Sequence, residues 1–382
     1  MPYKGMLKKR VHHKHKIIVI GDLDPKVQMM TMKADSKEEN IPEIRVLIYG
    51  VGSIGSRIVR LLLKKRGLKI VGAIDASPEK IGKDLGQVVA AERDLGIMIS
   101  QDSDDLLSDV NANVAIHATS SFLKDVYPQI TRLITHGMNV ISTCEELSYP
   151  HVVDETLASQ LDDLARRHGV TVLGTGINPG FLMDTLPIVL SAACQEIRHI
   201  RVERVIDASK RRLPFQKKIG VGLPPDEFKD MISKGRITGH VGLKQSIAMI
   251  AEALKLDLEG IVEEQVKPII ADRIVESRGV KVNEGRVLGL MQVAHGIVDG
   301  ENFITLIFKA YVGADEYDSI KVDGVPEINQ RISPCIHGDL ATAAIIVNSI
   351  PKVINAPPGL KTMKDLQLPS AALSDIRSYL NV

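Results

Sequence analysis

From position 44 the chain alternates short apolar runs with longer amphipathic stretches. "IRVLIYG", "LKIVGAID", "NVAIHAT", "MNVIST" and "VTVLGTG" are compact and rich in β-branched residues, the pattern of strands covered on both faces of a parallel sheet. Between them, "SRIVRLLLKKRG", "DVYPQITRLITHG" and "ETLASQLDDLARRHG" carry helical periodicity, with Ile58, Leu61 and Leu62 expected on one face. Strands alternating with helices of this length predict a doubly wound α/β fold of the Rossmann type.

The texture changes near Asn178. "NPGFLMDTLPIVLSAACQ" predicts a helix opened by an asparagine cap with proline in its first turn. "IRHIRVERVIDAS", "RVLGLMQVAHGIVDG" and "NFITLIFKAYVG" then alternate like strands of an open mixed or antiparallel sheet, with "GENF" as a hairpin turn. "LKQSIAMIAEALKL" adds a helix, and "HGDLATAAIIVNSIPKVI" a closing one, strongly apolar, expected to return to the first sheet. The expected organisation is an extension over 1–40, a dinucleotide-binding domain over 41–178, an α+β domain for substrate and oligomerisation over 179–334, and a returning segment over 335–382.

The extension is basic and His-rich: His12, His13 and His15 read as a solvated tail, and "IIVIGDLD" as a short strand. It lacks the apolar core and cleavage site of a secretory signal. Overall charge adds little, since 48 Lys and Arg against 47 Asp and Glu leave a net charge of +1. No field draws the chain to nucleic acid or an anionic membrane. With 44% apolar and 25% charged residues and no membrane-spanning run, a soluble, cytoplasmic protein acting on small molecules is expected. Cys144, Cys194 and Cys335 are far apart, without metal-ligand or redox spacing, so no metal site is expected.

Gly50, Gly52 and Gly55 form GxGxxG between a predicted strand and helix. The first permits the tight turn, the second lets a pyrophosphate approach, and the third lets helix and strand pack closely; Ser53 and Ile54 share the turn. Asp75, twenty residues beyond Gly55 at the end of the second strand, is placed to accept from ribose hydroxyls. Its charge disfavours an extra phosphate, so NAD is favoured over NADP, a preference softened by nearby Lys80. Ligands in such sheets sit beyond the carboxyl ends of the strands. Thr119 and Ser120 therefore either line the nicotinamide ribose or cap the next helix. Asn178 either caps its helix or reaches the ligand.

Glu145 and Glu146 follow a buried strand at the place where nicotinamide and substrate meet. They read either as acidic residues favoured at a helix start or as a general acid/base, or ammonium anchor, supplied by one of them. Cys144 adjoins them. His240, in the glycine-flanked loop "GRITGHVG", either touches substrate or is structural, and Arg211 or Arg212 is a candidate partner for a substrate carboxylate. His337 and Asp339 open the last helix.

Several blocks together, "IYGVGSIG", "AIDASPEKIGKDLG", "VISTCEELSYP", "GTGINPGFLMDTLP" and "HGDLATAAIIVNSIPKVINAPPGLKTMKDL", resemble the 2,4-diaminopentanoate dehydrogenases and native amine dehydrogenases, which share the dihydrodipicolinate reductase architecture. The resemblance runs from Ile44 to Pro369. It implies NAD(P)-dependent oxidative deamination of 2,4-diaminopentanoate at C4, a catalytic glutamate in the "CEEL" loop and a dimer or larger homo-oligomer; His240, Cys144 and Met183 are the candidate substrate contacts. The alternatives are a dihydrodipicolinate-type imine reductase, whose lysine-containing basic motif has no clear copy here, and a regulatory protein that binds NAD without turnover.

Overall fold

The computed structural model describes residues 41–102 and 104–381; the tail histidines and the "IIVIGDLD" strand lie outside them. The apolar run β1 (Ile44–Tyr49) is followed by helix α1 (Ser53–Leu62), which turns Gly55, Ile58, Val59 and Leu62 inward and leaves Leu61 at its flank. Next come β2 (Leu68–Ile74), the single turn α2 (Leu85–Val88), the short β3 (Ile99–Ser100) and α3 (Asp104–Asp109). The alternation continues with β4 (Val114–His117), α4 (Leu123–Thr135), β5 (Asn139–Ser142), α5 (Glu155–His168) and β6 (Thr171–Gly174). Helix α5 shows how local sequence sets its own ends. The Asp154 carboxylate accepts from the Leu157 N–H, and Gly169 ends the helix at φ 67°, a conformation that costs glycine little.

These strands form one wholly parallel sheet in the order β3-β2-β1-β4-β5-β6, extended beside β6 by β16 (Gly359–Lys361) from the end of the chain. The order reverses between β1 and β4, and that switch point opens the crevice in which doubly wound sheets bind ligands.

After β6 the expected helix start is displaced. Residues 179–184 form turns, and α6 spans only Thr185–Ser191. Its cap is Asp184, buried, with Oδ1 accepting from the Thr185 N–H and Oδ2 from the Gly180 N–H and the Ser246 hydroxyl. A carboxylate that satisfies three donors displaces Asn178 as the cap.

The second sheet is built from β7 (Glu196–Asp207) and, after α7 (Leu213–Lys218), α8 (Pro225–Ser233) and α9 (Leu243–Leu254), from β8 (Gly260–Glu263) and β9 (Lys267–Ile270). Following the hairpin β10 (Val275–Ser277) and β11 (Val280–Val282), it is completed by β12 (Val287–Val298), β13 (Glu301–Tyr311), β14 (Tyr317–Val325) and β15 (Ile328–Ile332). Its order is β15-β14-β7-β13-β12-β8, with β9 also on β12. The sheet is mixed because β7 runs parallel to β13, while its other pairings are antiparallel. The β12–β13 turn sits at Asp299-Gly300, both at positive φ (52° and 74°), two residues earlier than "GENF" suggests. Ile200, Val202 and Ile206 of β7 pack in one core with Leu243, Ile247 and Ile250 of α9.

Helix α10 (Gly338–Asn355) buries Ile346, Val347, Ile350 and Val353 in the core of the first sheet, together with Ile58 and Val59 of α1. No helix among the described residues is long and apolar enough to cross a membrane.

Candidate active site

A cleft of about 410 Å³ lies where the carboxyl ends of β4, β5 and β6 meet β7 and β13. From the first sheet come the glycine turn and the loops after β4, β5 and β6; from the second come Arg204, Arg211, Phe215, His240 and Phe308; α10 contributes Gly338, Asp339 and Thr342.

The glycine turn has the shape a pyrophosphate needs. Gly50 has φ 98°, and a Cβ there would lie 2.4 Å from the Ala118 carbonyl oxygen; one on Gly55 would lie 2.0 Å from the Gly50 oxygen. A Cβ on Gly52, by contrast, meets nothing within 4 Å, and no side chain caps α1. The N-terminal N–H groups of the helix thus open onto free space beside Ser53 and Ile54, an arrangement suited to phosphate oxygens. The two glycines are expected to fail differently. Gly55→Ala forces the turn apart and lowers both thermal stability and NAD(P)H affinity, the latter by about tenfold or more. Gly52→Ala lowers affinity alone. Fluorescence titration beside thermal melts distinguishes them; a Gly55→Ala protein with wild-type melting and affinity would contradict this reading of the turn.

Asp75 lines a neighbouring cavity with Tyr49, Gly50, Lys80 and Asp102. Its Oδ2 accepts from the Val51 N–H at 2.8 Å and pairs with Lys80 Nζ at 3.0 Å, and its Oδ1 accepts from the Ser77 N–H at 2.8 Å. Burial pushes its carboxyl up, but the bonds from Ser77, Lys80 and Val51 outweigh it and hold the group below the usual carboxylate range. The aspartate is therefore a fixed anion whose charge Lys80 partly cancels.

The loop after β5 separates the two glutamates. Glu146 turns to α4, where its Oε2 accepts from the Leu123 N–H at 2.6 Å. Helix α4 has no cap of its own, since Phe122 holds that position, so this carboxylate takes the role and faces the favourable end of the helix dipole. Glu145 points into the cleft. Burial raises its carboxyl above the ordinary value of 4.5; its own N–H, the Ser121 hydroxyl and the charge of Lys218 pull it back, and Glu146 pushes it further up.

Thr119 and Ser120 line the cleft with their hydroxyls already engaged. Thr119 donates to Gln129 Oε1 at 2.7 Å, and Ser120 donates to Asp125 Oδ2 at 2.7 Å while accepting from the Phe122 N–H. Beneath them His117, fully buried at the end of β4, bridges Ser142 (2.9 Å) and Gln129 (2.7 Å). Burial lowers its pKa to about 4, so it ties the end of β5 to α4 as a neutral ring.

On the opposite wall His240 stacks on Phe308 (centroids 4.7 Å apart, planes at 19°), and its Nε2 meets Asn178 Nδ2 at 2.9 Å. Burial, with the charges of Arg204 and Lys218, lowers its pKa to about 3. Asn178 thus sits in the cleft as the partner of His240. Arg211 lies over Phe215 (5.4 Å) and pairs with Asp339 at 3.3 Å. Arg212 is more exposed and reaches the same carboxylate at 3.7 Å.

Besides Glu146, two further sequence candidates lie away from the cleft. Met183 is wholly buried in the core of the second sheet, and Cys144 in the apolar layer under α4 and α5, where burial pushes its thiol up to about 12. Conversely, Arg204 lines the cleft without having been a candidate. It occupies a core-facing position of β7, in phase with Val202 and Ile206, and an arginine at such a position is the signal that could have revealed it. Its Nη1 donates to Asp318 Oδ1 at 2.8 Å and its Nη2 to the Ile336 carbonyl at 2.5 Å.

A glycine turn open to phosphate, an acidic cap after β2, and a carboxylate facing a polar pocket beyond the same strand ends define a dinucleotide-dependent oxidoreductase. Comparison with known proteins narrows the class. Residues 181–382 match the 2,4-diaminopentanoate dehydrogenase C-terminal domain, and residues 44–145 the N-terminus of dihydrodipicolinate reductase. A 2,4-diaminopentanoate dehydrogenase of Acetoanaerobium sticklandii is 34% identical, over 89% of this chain and 98% of its own. An amine dehydrogenase of Streptomyces virginiae is 24% identical, over 85% and 96%. The structure of an amine dehydrogenase from Mycobacterium smegmatis superposes with a TM-score of 0.76 at 26% identity, over 87% of this chain and 98% of that one. The chain belongs to the 2,4-diaminopentanoate dehydrogenase family.

Proposed function

We propose that this enzyme oxidises the C4 amine of 2,4-diaminopentanoate to 2-amino-4-oxopentanoate, using NAD or NADP, and runs the reductive amination in reverse. The observation that carries this reading is the pairing of opposite charges in one cleft. Glu145 faces it from the first sheet, and Arg211 stands on the other wall. A diamino acid carries an ammonium at its reacting carbon and a carboxylate at the other end, so the two groups bind its two ends and fix its direction.

The bound nicotinamide supplies a hydride acceptor. Glu145 receives the ammonium, and burial, which raises its carboxyl above the ordinary glutamate range, makes it a stronger base toward one ammonium proton than an exposed glutamate. With the lone pair free, the C4–H bond breaks, its electron pair leaving as hydride while nitrogen forms the C=N bond. Once that proton has passed on to solvent water, the Glu145 carboxylate steadies the cationic iminium and orients the water that adds to C4. Loss of ammonia leaves the ketone. Alkylammonium, oxidised cofactor and water thereby become ketone, ammonium, reduced cofactor and one proton. His240, neutral and stacked on Phe308, shapes the substrate wall and does not compete for the ammonium.

In this reading the Asp75 carboxylate receives the ribose hydroxyls and favours NAD, while Lys80, 3.0 Å away, keeps NADP usable. We also take the enzyme to be a cytoplasmic homodimer joined through the outward face of the second sheet, a reading that a single-chain mass in sedimentation equilibrium rejects.

Arg211→Met tests the carboxylate assignment. The KM for 2,4-diaminopentanoate is expected to rise by about tenfold or more, the equivalent of a lost charge-assisted bond, while the KM for an alkylamine lacking a carboxylate stays unchanged. Equal effects on both substrates would remove Arg211 from substrate recognition, and no amine-dependent NAD(P)H formation across a panel containing the diamine would remove the function.

A further inference from the structure

Beside the cleft runs a second cavity that the proposed reaction leaves unused. It is a groove of about 660 Å³ between α1, residues 90–95 and the first half of α10. Four cations line it: Arg57 and Arg60, one turn apart on α1, Lys64 just beyond that helix, and Arg93 from the facing loop; Glu92 is its one carboxylate. Leu61, Leu95, Ala343 and Ala344 form an apolar lining, and Leu63 and Leu340 stand exposed at its sides (43% and 57%).

The cations are poorly satisfied. Arg60 donates to the Val89 carbonyl at 2.7 Å, whereas neither Lys64 nor Arg93 pairs with an acid among the described residues. Arg57 Nε is buried with no hydrogen-bond partner, its nearest anion being Asp339 at 3.7 Å. A buried guanidinium nitrogen without a partner is costly to leave so, and the Arg57 head is held only by its long pairing with Asp339.

We propose that this groove is a second binding site for an amphipathic organic anion. The carboxylate head of the ligand lies among Arg57, Arg60, Lys64 and Arg93, and its hydrocarbon body rests on Leu61, Leu95 and Ala343. The volume lies within the range of small-molecule sites. A neutral apolar ligand leaves the cations unanswered, and a bare inorganic anion leaves the apolar lining wet. The dinucleotide is a poor candidate, because the glycine turn that suits its phosphates lies at the opposite end of α1.

The site communicates with the cleft through one residue. Arg57 lines the groove and pairs with Asp339, which lines the cleft and also holds Arg211 and Arg212. An anion that draws Arg57 toward itself leaves Asp339 less neutralised and pulls Arg211 closer to it. This weakens the hold of Arg211 on a substrate carboxylate, and by linkage the substrate weakens the anion equally. The coupling rests on the substrate role proposed for Arg211; occupancy of the groove does not.

Calorimetric titration of the full-length protein, saturated with NAD and free of amine, tests occupancy separately. Octanoate is expected to bind one site per chain, with octan-1-ol and inorganic phosphate weaker by about tenfold or more. Lys64→Glu/Arg93→Glu, both exposed substitutions, is expected to weaken octanoate by a similar factor and leave NAD affinity unchanged. Absence of saturable octanoate binding, equal binding by the double variant, or phosphate binding as tightly as octanoate overturns the site. In turnover, octanoate is expected to raise the KM for the diamine several-fold at unchanged kcat; an unchanged KM with the site filled overturns the link through Arg57.

Discussion

Glu145→Gln is expected to lower kcat for amine oxidation by about 10²- to 10⁴-fold, the range in which a positioned general base contributes. Glutamine keeps the shape and can still accept from the ammonium, so the loss should appear in kcat far more than in KM. The pH profile supplies an independent reading. Burial holds the Glu145 carboxyl above its ordinary 4.5. The base is therefore lost as pH falls through that raised value, and the acid limb of kcat/KM should lie above the position of an ordinary glutamate. The limb should vanish in Glu145→Gln. Glu146→Ala serves as the control: removing the cap of α4 is expected to cost about 1 kcal/mol of stability and little turnover. Wild-type kcat in Glu145→Gln, with the acid limb intact, would place the base elsewhere.

The largest stability effect is expected at Arg204. Its guanidinium and Asp318 are 2% and 1% exposed and lie 2.8 Å apart, and both also bond the backbone of Ile336. Arg204→Met strands the Asp318 carboxylate in the core, a change worth about 3–5 kcal/mol. Removing both charges in Arg204→Met/Asp318→Leu should recover part of that loss, because no charge is then left buried, while the Ile336 N–H and carbonyl lose the partners they had. Urea unfolding of the wild type and the variants measures it. A double variant no more stable than Arg204→Met would show that the arginine matters through packing or the cleft and not through its charge partner.

Much of the nucleotide-binding half was legible from the order of residues alone. β1, the glycine turn, α1 and β2 follow one another within 31 residues (Ile44–Ile74), so their hydrophobic period and turn chemistry are local properties. The points that escaped the sequence depend on distant partners. Asn178 and Pro179 look like a cap and first turn, but the helix begins at Thr185 because Asp184 satisfies more donors, one of them Ser246, 62 residues away. Glu145 and Glu146 are adjacent and chemically identical, and only the uncapped start of α4, 23 residues earlier, decides which one turns from the cleft. Cys144 and Met183 lie beside site loops in sequence, yet their side chains belong to the cores beneath. The parallel pairing of β7 with β13 brings together segments about a hundred residues apart, and alternation within either strand says nothing of their relative direction.

The return of the chain to its first sheet has a bearing on synthesis. The core around β1 and α1 includes Ile346, Val347, Ile350 and Val353, and the sheet edge beside β6 is covered only when Gly359–Lys361 arrives. A ribosome that has made everything through β6 has therefore released a nucleotide-binding half with an open core and an unpaired edge. The intervening segment, whose own core is drawn largely from residues 177–322, can close while the earlier half still waits. Order of emergence and order of completion are thus inverted, and α10 and β16 decide whether the chain from β1 to β6 becomes a stable domain.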